Sequence, residues 1–391
     1  MLRRIDGFDP EALTARLCRY VAIPSVSRQE GALADLVANE LAEAGLEVRR
    51  AGNNVWCELG DAPRPRFLLN SHLDTVQPGQ GWTGDPWRPR VLAEVRDAAP
   101  LDEKSSAARV VGLGANDAKG CVVALVEATL AAKRRIAAGE RLGGTLVLAL
   151  TVEEEISGAG LDTILPGLRP LDAAIVGEPT GLTPMIAQRG LLMLRLVARG
   201  RTSHPANTSP QTADNAIMAA TRAIARLADF DWGLPHPVLG RCHAHVTRIS
   251  GGSATNVIPD LCEFWLDIRT TPAEPHAQLV ERLRAFLADS HGNDALELNV
   301  HSDRLVSVET PDSTPIVQAV IRALGGDVRP AGSPAMSDMV FLAGTPAVKI
   351  GPGDSARSHT PDEFITLDEL TAGAAAYERI IREYFNRSGA P

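Results

Sequence analysis

The sequence lacks the signatures of several common classes of protein. Its five cysteines include no CxxC pair, which gives no sign of a zinc knuckle and favours reduced, buried thiols in a cytoplasmic protein. The formal net charge is -9 and no long lysine or arginine run occurs, so nucleic acid and anionic membrane surfaces are poor candidate partners. No uncharged apolar stretch reaches membrane-spanning length. The opening residues, MLRRIDGFDPEALTARL, have no apolar core or small-residue cleavage site, which predicts no secretory signal.

The chain of 391 residues is too long for a single ordinary core, so we expect two domains. Towards both ends of the chain, strand-like and helix-like segments alternate. The predicted strands are 67–70, 145–151, 173–176 and 347–350, and the predicted helices are 31–44, 121–139 and 367–385. This alternation predicts an α/β fold with a mostly parallel sheet and helices on both faces.

The middle of the chain follows a different pattern. The predicted strands are 191–200, 241–252 and 261–270, and the predicted helices are 212–230 and 279–290. This order is typical of an α+β domain with hairpin character. We place the insert at 182–292, which splits the α/β domain into 1–181 and 293–391. Residues 96–109 are predicted to form an exposed loop.

Ionisable side chains follow the apolar segments of the split domain. These side chains are His72 and Asp74, Asp117, Glu153 to Glu155, Glu178, and His359. Because ligands bind beyond the carboxyl ends of the strands in an open α/β sheet, we expect these residues to meet at one edge. Three buried glutamates would repel each other if all stayed ionised, so a source of positive charge is expected beside them.

Two imidazoles with three or more carboxylates suit zinc and similar borderline cations. Four protein ligands usually complete one zinc site, so five indicate two metal ions that share a carboxylate, as in hydrolases with paired ions. Two dications would also offset the excess of carboxylates.

Each residue taken alone has an ordinary alternative. Asp117 could cap the helix at 121–139, and the three glutamates could form an exposed acidic turn. His72 could be a solvated histidine at a strand end, Glu178 could belong to a simple turn, and His359 could cap a loop. His243 and His245 share one face of a strand, which favours ordinary strand histidines. The joint placement at strand ends is what favours a metal site.

Other catalytic patterns do not fit the sequence. The stretch GLGAND at 112–117 has Asp117 where a dinucleotide-binding loop needs its last glycine. The sequence contains no GxSxG nucleophile elbow and no HExxH zinc motif.

Seven motifs, spread over nearly the whole chain, resemble the M20 family of metallopeptidases, aminoacylases and deacetylases. They are SHLDTV (71–76), GANDAKG (114–120), TVEEEISG (151–158), VGEPT (176–180), SHPA (203–206), TNVIPD (255–260) and GPGDSARSHTPDEF (351–364). Within the family, the stretches GNNVWC, LNSHLDTV and KIGPGDSARSHTPDEF most resemble the N-acetylornithine deacetylase branch.

The resemblance implies two zinc ions per subunit, for which Co²⁺ could substitute. Asp117 would bridge the two ions. His72 and Glu178 would hold one ion, and Glu155 and His359 would hold the other.

The resemblance also implies roles for residues around the metal ions. Glu154 resembles the general base, a register we take by counting from Thr151 because three identical glutamates leave it open by one residue. Asp74 would accept the second imidazole N–H of His72 and fix its tautomer.

The insert resembles the family's dimerisation domain, which implies a homodimer through 182–292. His204 resembles the histidine that reaches the active site of the partner subunit. Asn256 and Arg269 resemble substrate contacts, and the planar guanidinium of Arg269 suits an α-carboxylate.

The implied function is removal of the acyl group from a small-molecule N-acyl amino acid. The leading substrate is N-acetyl-L-ornithine, giving L-ornithine and acetate for arginine biosynthesis. Succinyl-diaminopimelate desuccinylase, N-acetylcitrulline or N-acetyllysine deacetylase, and a dipeptidase remain alternatives. A non-catalytic metal-binding protein is the alternative of a different class, although a pure binder needs no base at Glu154. A metal-free binding protein would leave the acidic cluster without compensating charge.

Overall fold

The computed structural model describes residues 6–93, 107–288 and 296–388. Most of the loop predicted at 96–109 lies outside these described residues. The chain forms two compact units. Unit 1 contains Met1–Ile186, Thr310–Ala331 and Ser337–Pro391, and unit 2 contains Ala187–Glu309 and Gly332–Met336.

The helices are α1 (Pro10–Val21), α2 (Gly31–Glu43), α3 (Lys119–Ala137), α4 (Ala159–Leu168), α5 (Ala216–Arg226), α6 (His276–Ala288), α7 (Pro315–Ala323) and α8 (Leu367–Ser388). The strands are β1 (Val48–Ala51), β2 (Asn54–Gly60), β3 (Arg66–His72), β4 (Arg90–Leu92), β5 (Arg109–Val111), β6 (Thr145–Thr151), β7 (Ala173–Val176), β8 (Met185–Gln188), β9 (Gly190–Arg199), β10 (His243–Gly251), β11 (Leu261–Thr270), β12 (Leu296–Leu305), β13 (Val308–Glu309), β14 (Ala331–Ser333), β15 (Ala347–Lys349) and β16 (Phe364–Thr366). Short 3-10 helices occur at Pro205–Asn207, Leu227–Asp229, Asp338–Leu342 and Ser355–Arg357.

A mixed sheet forms the centre of unit 1, with the strand order β1-β2-β6-β3-β7-β15-β8. The four inner strands β6, β3, β7 and β15 run parallel to one another. The outer strands β2 and β8 pair antiparallel to this group. The segments TLVLALT and AAIV are buried at every residue, as expected for strands inside a parallel sheet. The prediction of an α/β fold with a mostly parallel sheet is confirmed.

A capping side chain and a glycine mark two of the helix ends in unit 1. Asp9 accepts a hydrogen bond from the N–H of Glu11 at 3.0 Å and so caps α1, whose first residue is Pro10. The chain leaves α2 through Gly45, whose φ of +76° favours glycine. Helices α1, α3 and α8 pack together in the hydrophobic core of this unit.

A second, small sheet in unit 1 has the strand order β16-β5-β4 and is antiparallel. The pairing of Phe364 with Val111 is its most important register for the site. Asp117 lies in the segment that follows β5, and His359 lies in the segment that precedes β16. The pairing therefore brings these two segments close together.

Unit 2 contains an antiparallel sheet with the strand order β10-β11-β9-β12. Strand β11 alternates between buried and partly exposed residues, and its buried face packs with α5 and α6 in a core of its own. This unit ends later than the insert that we placed at 182–292. The reason is β12, which pairs with β9 through registers such as Leu298 opposite Leu196 and therefore extends the same sheet.

Among the described residues, we find no helix that is both long and apolar enough to cross a membrane.

Candidate metal centre

The carboxyl ends of three neighbouring parallel strands position most of the site in unit 1. His72 is the last residue of β3 and lies opposite Thr151, the last residue of β6. Strand β7 ends at Val176, opposite Asn70 of β3. The main-chain N–H of Gly177 donates to the Asn70 carbonyl at 2.7 Å. The residues that follow β6 and β7 therefore emerge beside His72, as the strand-end argument predicted.

His72 contacts two of the predicted carboxylates. Its Nε2 lies 3.3 Å from Asp117 Oδ1 and 3.9 Å from Glu178 Oε1. The residue is only 1% exposed. Burial by itself would lower the pKa of His72, but the nearby carboxylates of Asp117 and Asp74 outweigh it and hold that pKa well above its ordinary value.

Asp117 lies between the two predicted histidine ligands. Its Oδ2 is 3.8 Å from Nε2 of His359, while Oδ1 faces His72. Oδ1 is buried and accepts no well-aligned hydrogen bond from the described residues. A buried carboxylate oxygen without such a donor needs another source of positive charge. The two oxygens of one carboxylate thus face two imidazoles, which is the geometry expected of a bridging ligand.

His359 pairs with the second predicted carboxylate. Its Nε2 lies 3.0 Å from Glu155 Oε1. The hydrogen bond with Glu155 raises the pKa of His359 to about 9. The His359 side chain is 51% exposed, so this part of the site is open to solvent.

Two further carboxyl groups of the site, those of Glu178 and Glu154, have raised pKa values. Burial raises the pKa of Glu178 to about 8, although His72 opposes this effect. Burial and the charge of Glu178 raise the pKa of Glu154 well above its ordinary value. One ligand atom from each of His72, Glu154 and Glu178 lies within 4.8 Å of the others, and the same holds for His72, Asp117 and Glu155.

These residues fit a pair of divalent cations. Imidazole nitrogens and carboxylate oxygens are the donors that zinc takes in catalytic sites. The Oδ1 atom of Asp117, which accepts no well-aligned hydrogen bond from the residues that the structure describes, and the raised pKa of Glu178 show where positive charge would be favourable.

Asp74 contacts His72 differently from the prediction. Nδ1 of His72 lies 3.0 Å from the main-chain carbonyl oxygen of Asp74 and 3.5 Å from its carboxylate Oδ1. Because a carbonyl oxygen only accepts, Nδ1 donates to it, so Nε2, the nitrogen that faces Asp117, is the one that would hold a metal ion after losing its own proton. The Asp74 carboxylate instead accepts the main-chain N–H groups of Glu154 and Glu155, each at 3.1 Å, and the hydroxyl of Ser27 at 2.7 Å.

Four further residues of the site were not singled out from the sequence. Asp338 accepts the Thr151 hydroxyl at 2.8 Å, and burial raises its pKa to about 6. Lys349 is buried at the end of β15; burial lowers its pKa, against the opposing charges of Glu178 and Glu154. A lysine inside the apolar run AVKI was a signal that could have revealed it.

Asn116 and Glu363 are the other two residues, and both stand inside motifs that the sequence analysis quoted. Glu363 is buried, and that burial together with the charge of Asp117 raises its pKa to about 8. Because glutamate is rarely buried unless it is paired, the sequence pattern did not predict the burial of Glu363.

Two of the three predicted site residues of unit 2, His204 and Arg269, make local contacts within that unit. His204 is exposed and its Nδ1 accepts the N–H of Ala206 at 3.2 Å, which caps the short helix Pro205–Asn207. Asn256 is exposed. Arg269 Nε lies 2.8 Å from Asp267 Oδ1. Their functional roles stay predictions.

Comparison with known proteins supports the identification of the family. The sequence model of Peptidase family M20/M25/M40 matches residues 68–383. An acetylornithine deacetylase from Myxococcus xanthus is 29% identical over an alignment of 399 positions, which covers 95% of this chain and 97% of that protein. A succinyl-diaminopimelate desuccinylase from Cereibacter sphaeroides is 30% identical over an alignment of 401 positions, which covers 96% of this chain and 99% of that protein.

Solved structures show the same fold. The crystal structure of aminopeptidase PepT from Bacillus cereus aligns with a TM-score of 0.75 at 21% identity, over 96% of this chain and 99% of that one. The Bacillus subtilis YXEP protein, described as a dinuclear metal binding peptidase from the M20 family, aligns with a TM-score of 0.72 at 18% identity, over 95% of this chain and 97% of that one. Because the family match covers most of the sequence, the chain belongs to peptidase family M20/M25/M40 and is a hydrolase that acts on amide bonds.

Proposed function

We propose that this chain is a metal-dependent amidohydrolase that removes the acyl group from an N-acyl amino acid. The observation that carries the proposal is the position of Asp117, whose two carboxylate oxygens face His72 at 3.3 Å and His359 at 3.8 Å. Glu178 stands on the His72 side and Glu155 on the His359 side. This arrangement offers a bridging ligand and two further ligands for each of two ions.

The metal ions of the proposal are zinc, with Co²⁺ as a possible substitute. His72 and Glu178 would hold one ion, Glu155 and His359 the other, and Asp117 both. The similarity to a dinuclear metal binding peptidase from Bacillus subtilis supports two ions rather than one. When bound, the ions supply Lewis acidity to the amide carbonyl and lower the pKa of water toward neutrality.

Glu154 is the proposed general base. Its carboxylate lies within the cluster that includes His72 and Glu178. A carboxylate placed beside the proposed metal ligands is the type of group that takes and releases a proton in amide hydrolysis. In the proposed reaction, a Glu154 carboxylate oxygen takes the proton of the attacking water and then delivers it to the nitrogen of the leaving amine.

The turn that carries Glu154 is held by Asp74. Both main-chain N–H groups, those of Glu154 and Glu155, donate to the Asp74 carboxylate. These bonds hold the turn that contains the two glutamates. Together with the 3.0 Å contact between Glu155 and His359, they support Glu155 as the ligand that pairs with His359 and Glu154 as the general base.

The leading substrate of the proposal is N-acetyl-L-ornithine, with arginine biosynthesis as its pathway. The motifs GNNVWC, LNSHLDTV and KIGPGDSARSHTPDEF and the Myxococcus xanthus relative support it. The second candidate is N-succinyl-diaminopimelate, because the Cereibacter sphaeroides relative is similar to the same degree.

A set of four substrates separates the two candidates. It combines two acyl groups, acetyl and succinyl, with two amino acids, L-ornithine and LL-diaminopimelate. We expect kcat/KM to be highest for N-acetyl-L-ornithine, with the Glu154→Gln variant as the background control. The highest kcat/KM for N-succinyl-LL-diaminopimelate would favour the second candidate. Absence of turnover on all four, with metal bound, would exclude both.

We also infer that the protein acts as a homodimer through the predicted insert at 182–292, in the cytoplasm. In this proposal His204 serves the active site of the partner subunit and donates to the developing oxyanion. Asn256 and Arg269 would contact the substrate, with Arg269 at its α-carboxylate. The five cysteines, all within the described residues, are free thiols, which supports a reducing compartment.

A further inference from the structure

A buried glutamate outside the proposed ligand set holds the main chain at Asp117. Glu363 is 1% exposed and lies one residue before β16. Its Oε1 accepts the main-chain N–H groups of Asn116 and Asp117, each at 2.8 Å. Burying a carboxylate is costly unless hydrogen bonds or charges compensate it. Here part of the compensation comes from main-chain donors, those of Asn116 and of the proposed bridging ligand Asp117, with a further contribution from Gly114.

Asn116 extends the same network toward His359. Its Oδ1 accepts the N–H of Asp354 at 2.9 Å, and its Nδ2 donates to the carbonyl oxygen of Asp354 at 3.0 Å. Asn116 is fully buried. A Cβ added at Gly353 would lie 2.3 Å from Asn116 Oδ1, so the two segments are in close contact. Within the described residues, the segment that contains Asp117 and the segment that contains His359 are therefore joined by two hydrogen bonds to Glu363, two between Asn116 and Asp354, and a longer one from Asn116 Nδ2 to Ser358 Oγ at 3.5 Å.

We propose that Glu363 and Asn116 are positioning residues that hold Asp117 opposite His359 and so set the geometry of the second metal ion. Neither residue stands among the proposed ligands. Glu363 fixes the main chain of Asp117 from one side, and Asn116 fixes the loop that leads to His359 from the other. The inference rests on the proposed function, because the position of Asp117 matters for turnover only if it binds metal.

The hydrogen bonds suggest a pair of substitutions with different outcomes. Glu363→Gln keeps a side-chain oxygen that can accept both main-chain N–H groups, whereas Glu363→Ala leaves both without an acceptor. We expect Glu363→Ala to weaken zinc binding about 10- to 100-fold, the usual effect of removing a residue that orients a ligand. Glu363→Gln should restore most of that affinity. The visible absorption spectrum of bound Co²⁺ should change in the alanine variant and return toward that of the wild type in the glutamine variant.

Asp172 provides a matched control in the same unit. Its Oδ2 accepts the main-chain N–H of Arg66 at 2.7 Å, at the start of β3 and therefore at the opposite end of the strand from His72. Asp172→Ala removes a carboxylate that holds main chain, as Glu363→Ala does. It should lower the melting temperature while zinc affinity and the Co²⁺ spectrum stay at their wild-type values.

Asn116→Ala tests the other half of the network and serves if Glu363→Ala does not fold. It should also weaken zinc binding and shift the Co²⁺ spectrum. If folded Glu363→Ala or Asn116→Ala protein binds zinc as the wild type does and shows the same spectrum, the positioning role is wrong, while metal-dependent turnover by the wild type would leave the proposed function standing. A wild-type protein that binds no zinc would overturn both.

Discussion

The Oδ1 atom of Asp74 accepts the main-chain N–H of Glu154 at 3.1 Å. Asp74 also presents its carbonyl oxygen to Nδ1 of His72 at 3.0 Å. One residue therefore orients a proposed metal-binding imidazole and the turn that carries the proposed general base. This link between the ends of β3 and β6 connects the sequence SHLD to the three consecutive glutamates.

Removing the Asp74 carboxylate should disturb the site more than the fold. In Asp74→Ala, the main-chain N–H groups of Glu154 and Glu155 lose their acceptor, so we expect kcat to fall about 10- to 100-fold. Ser27→Ala is the matched control, because it removes only the hydroxyl that donates to Asp74 and should have a small effect. Steady-state kinetics on the preferred substrate measure both. Equal kcat values for Asp74→Ala and wild type would contradict the role of this carboxylate.

The register of the glutamates can be tested by two single substitutions. Glu154→Gln should keep both metal ions and lower turnover by ~10²–10⁴-fold, because it removes a positioned proton carrier. Glu155→Gln should weaken metal binding, since Glu155 is the carboxylate 3.0 Å from His359. Metal content after gel filtration and turnover distinguish the two. Loss of metal from Glu154→Gln and its retention by Glu155→Gln would shift the register by one residue.

The pH dependence of stability should depend in part on Glu40. This carboxylate, 14% exposed, joins α1 and α2 through Arg16 at 2.9 Å and Arg19 at 2.7 Å. Burial alone would raise the pKa of Glu40, but hydrogen bonds from Arg19 and Tyr20 hold it below its ordinary value.

A carboxyl whose pKa is lower in the folded state stabilises the fold above its unfolded pKa, about 4.3 for glutamate, and loses this contribution as the pH falls through the folded value. Glu40→Gln should therefore lower the free energy of unfolding by about 1–3 kcal/mol at neutral pH and make it less sensitive to acid. Urea unfolding between neutral pH and pH 3 measures this. The exposed Glu47, which lies 3.3 Å from Arg49, is the control site. The same acid sensitivity in Glu40→Gln and wild type would refute the prediction.

Mixing two inactive variants tests whether His204 acts across a dimer. Variants without His204 and without Glu154 should each be nearly inactive. In a mixed dimer, the subunit with intact Glu154 would receive the intact His204 of its partner, so one site per dimer would be complete. Activity should return toward half of the wild-type value per mixed dimer. No recovery after confirmed subunit exchange, or a monomer at assay concentration, would show that His204 does not serve the partner subunit.

The sequence predicted the parts of this fold that depend on local pattern. The strands at 145–151, 173–176 and 261–270 occur with those bounds, because continuous or alternating apolar residues identify them. The residues brought together at the strand ends, among them His72 and Glu178, followed from the same pattern and the geometry of a parallel sheet.

The sequence could not show what depends on contacts between distant segments. Strand β12, LELNVHSDRL, is largely polar, and only its pairing with β9 assigns it to unit 2. Glu363 and Asn116 are polar residues in loops, and their burial follows from the pairing of β16 with β5. Nδ1 of His72 contacts the main-chain carbonyl oxygen of Asp74. Every residue has such an oxygen, so the sequence could not identify this hydrogen-bond acceptor.

The most direct test of the central claim is a metal titration of the fully chelated protein, with zinc content and turnover measured at each step. We expect the chelated protein to be inactive and to have a lower melting temperature, because a ligand that binds only the folded state stabilises it. Activity on the preferred N-acyl amino acid should return with zinc and reach its maximum at two ions per chain. Full turnover by protein confirmed to be free of metal would contradict the account.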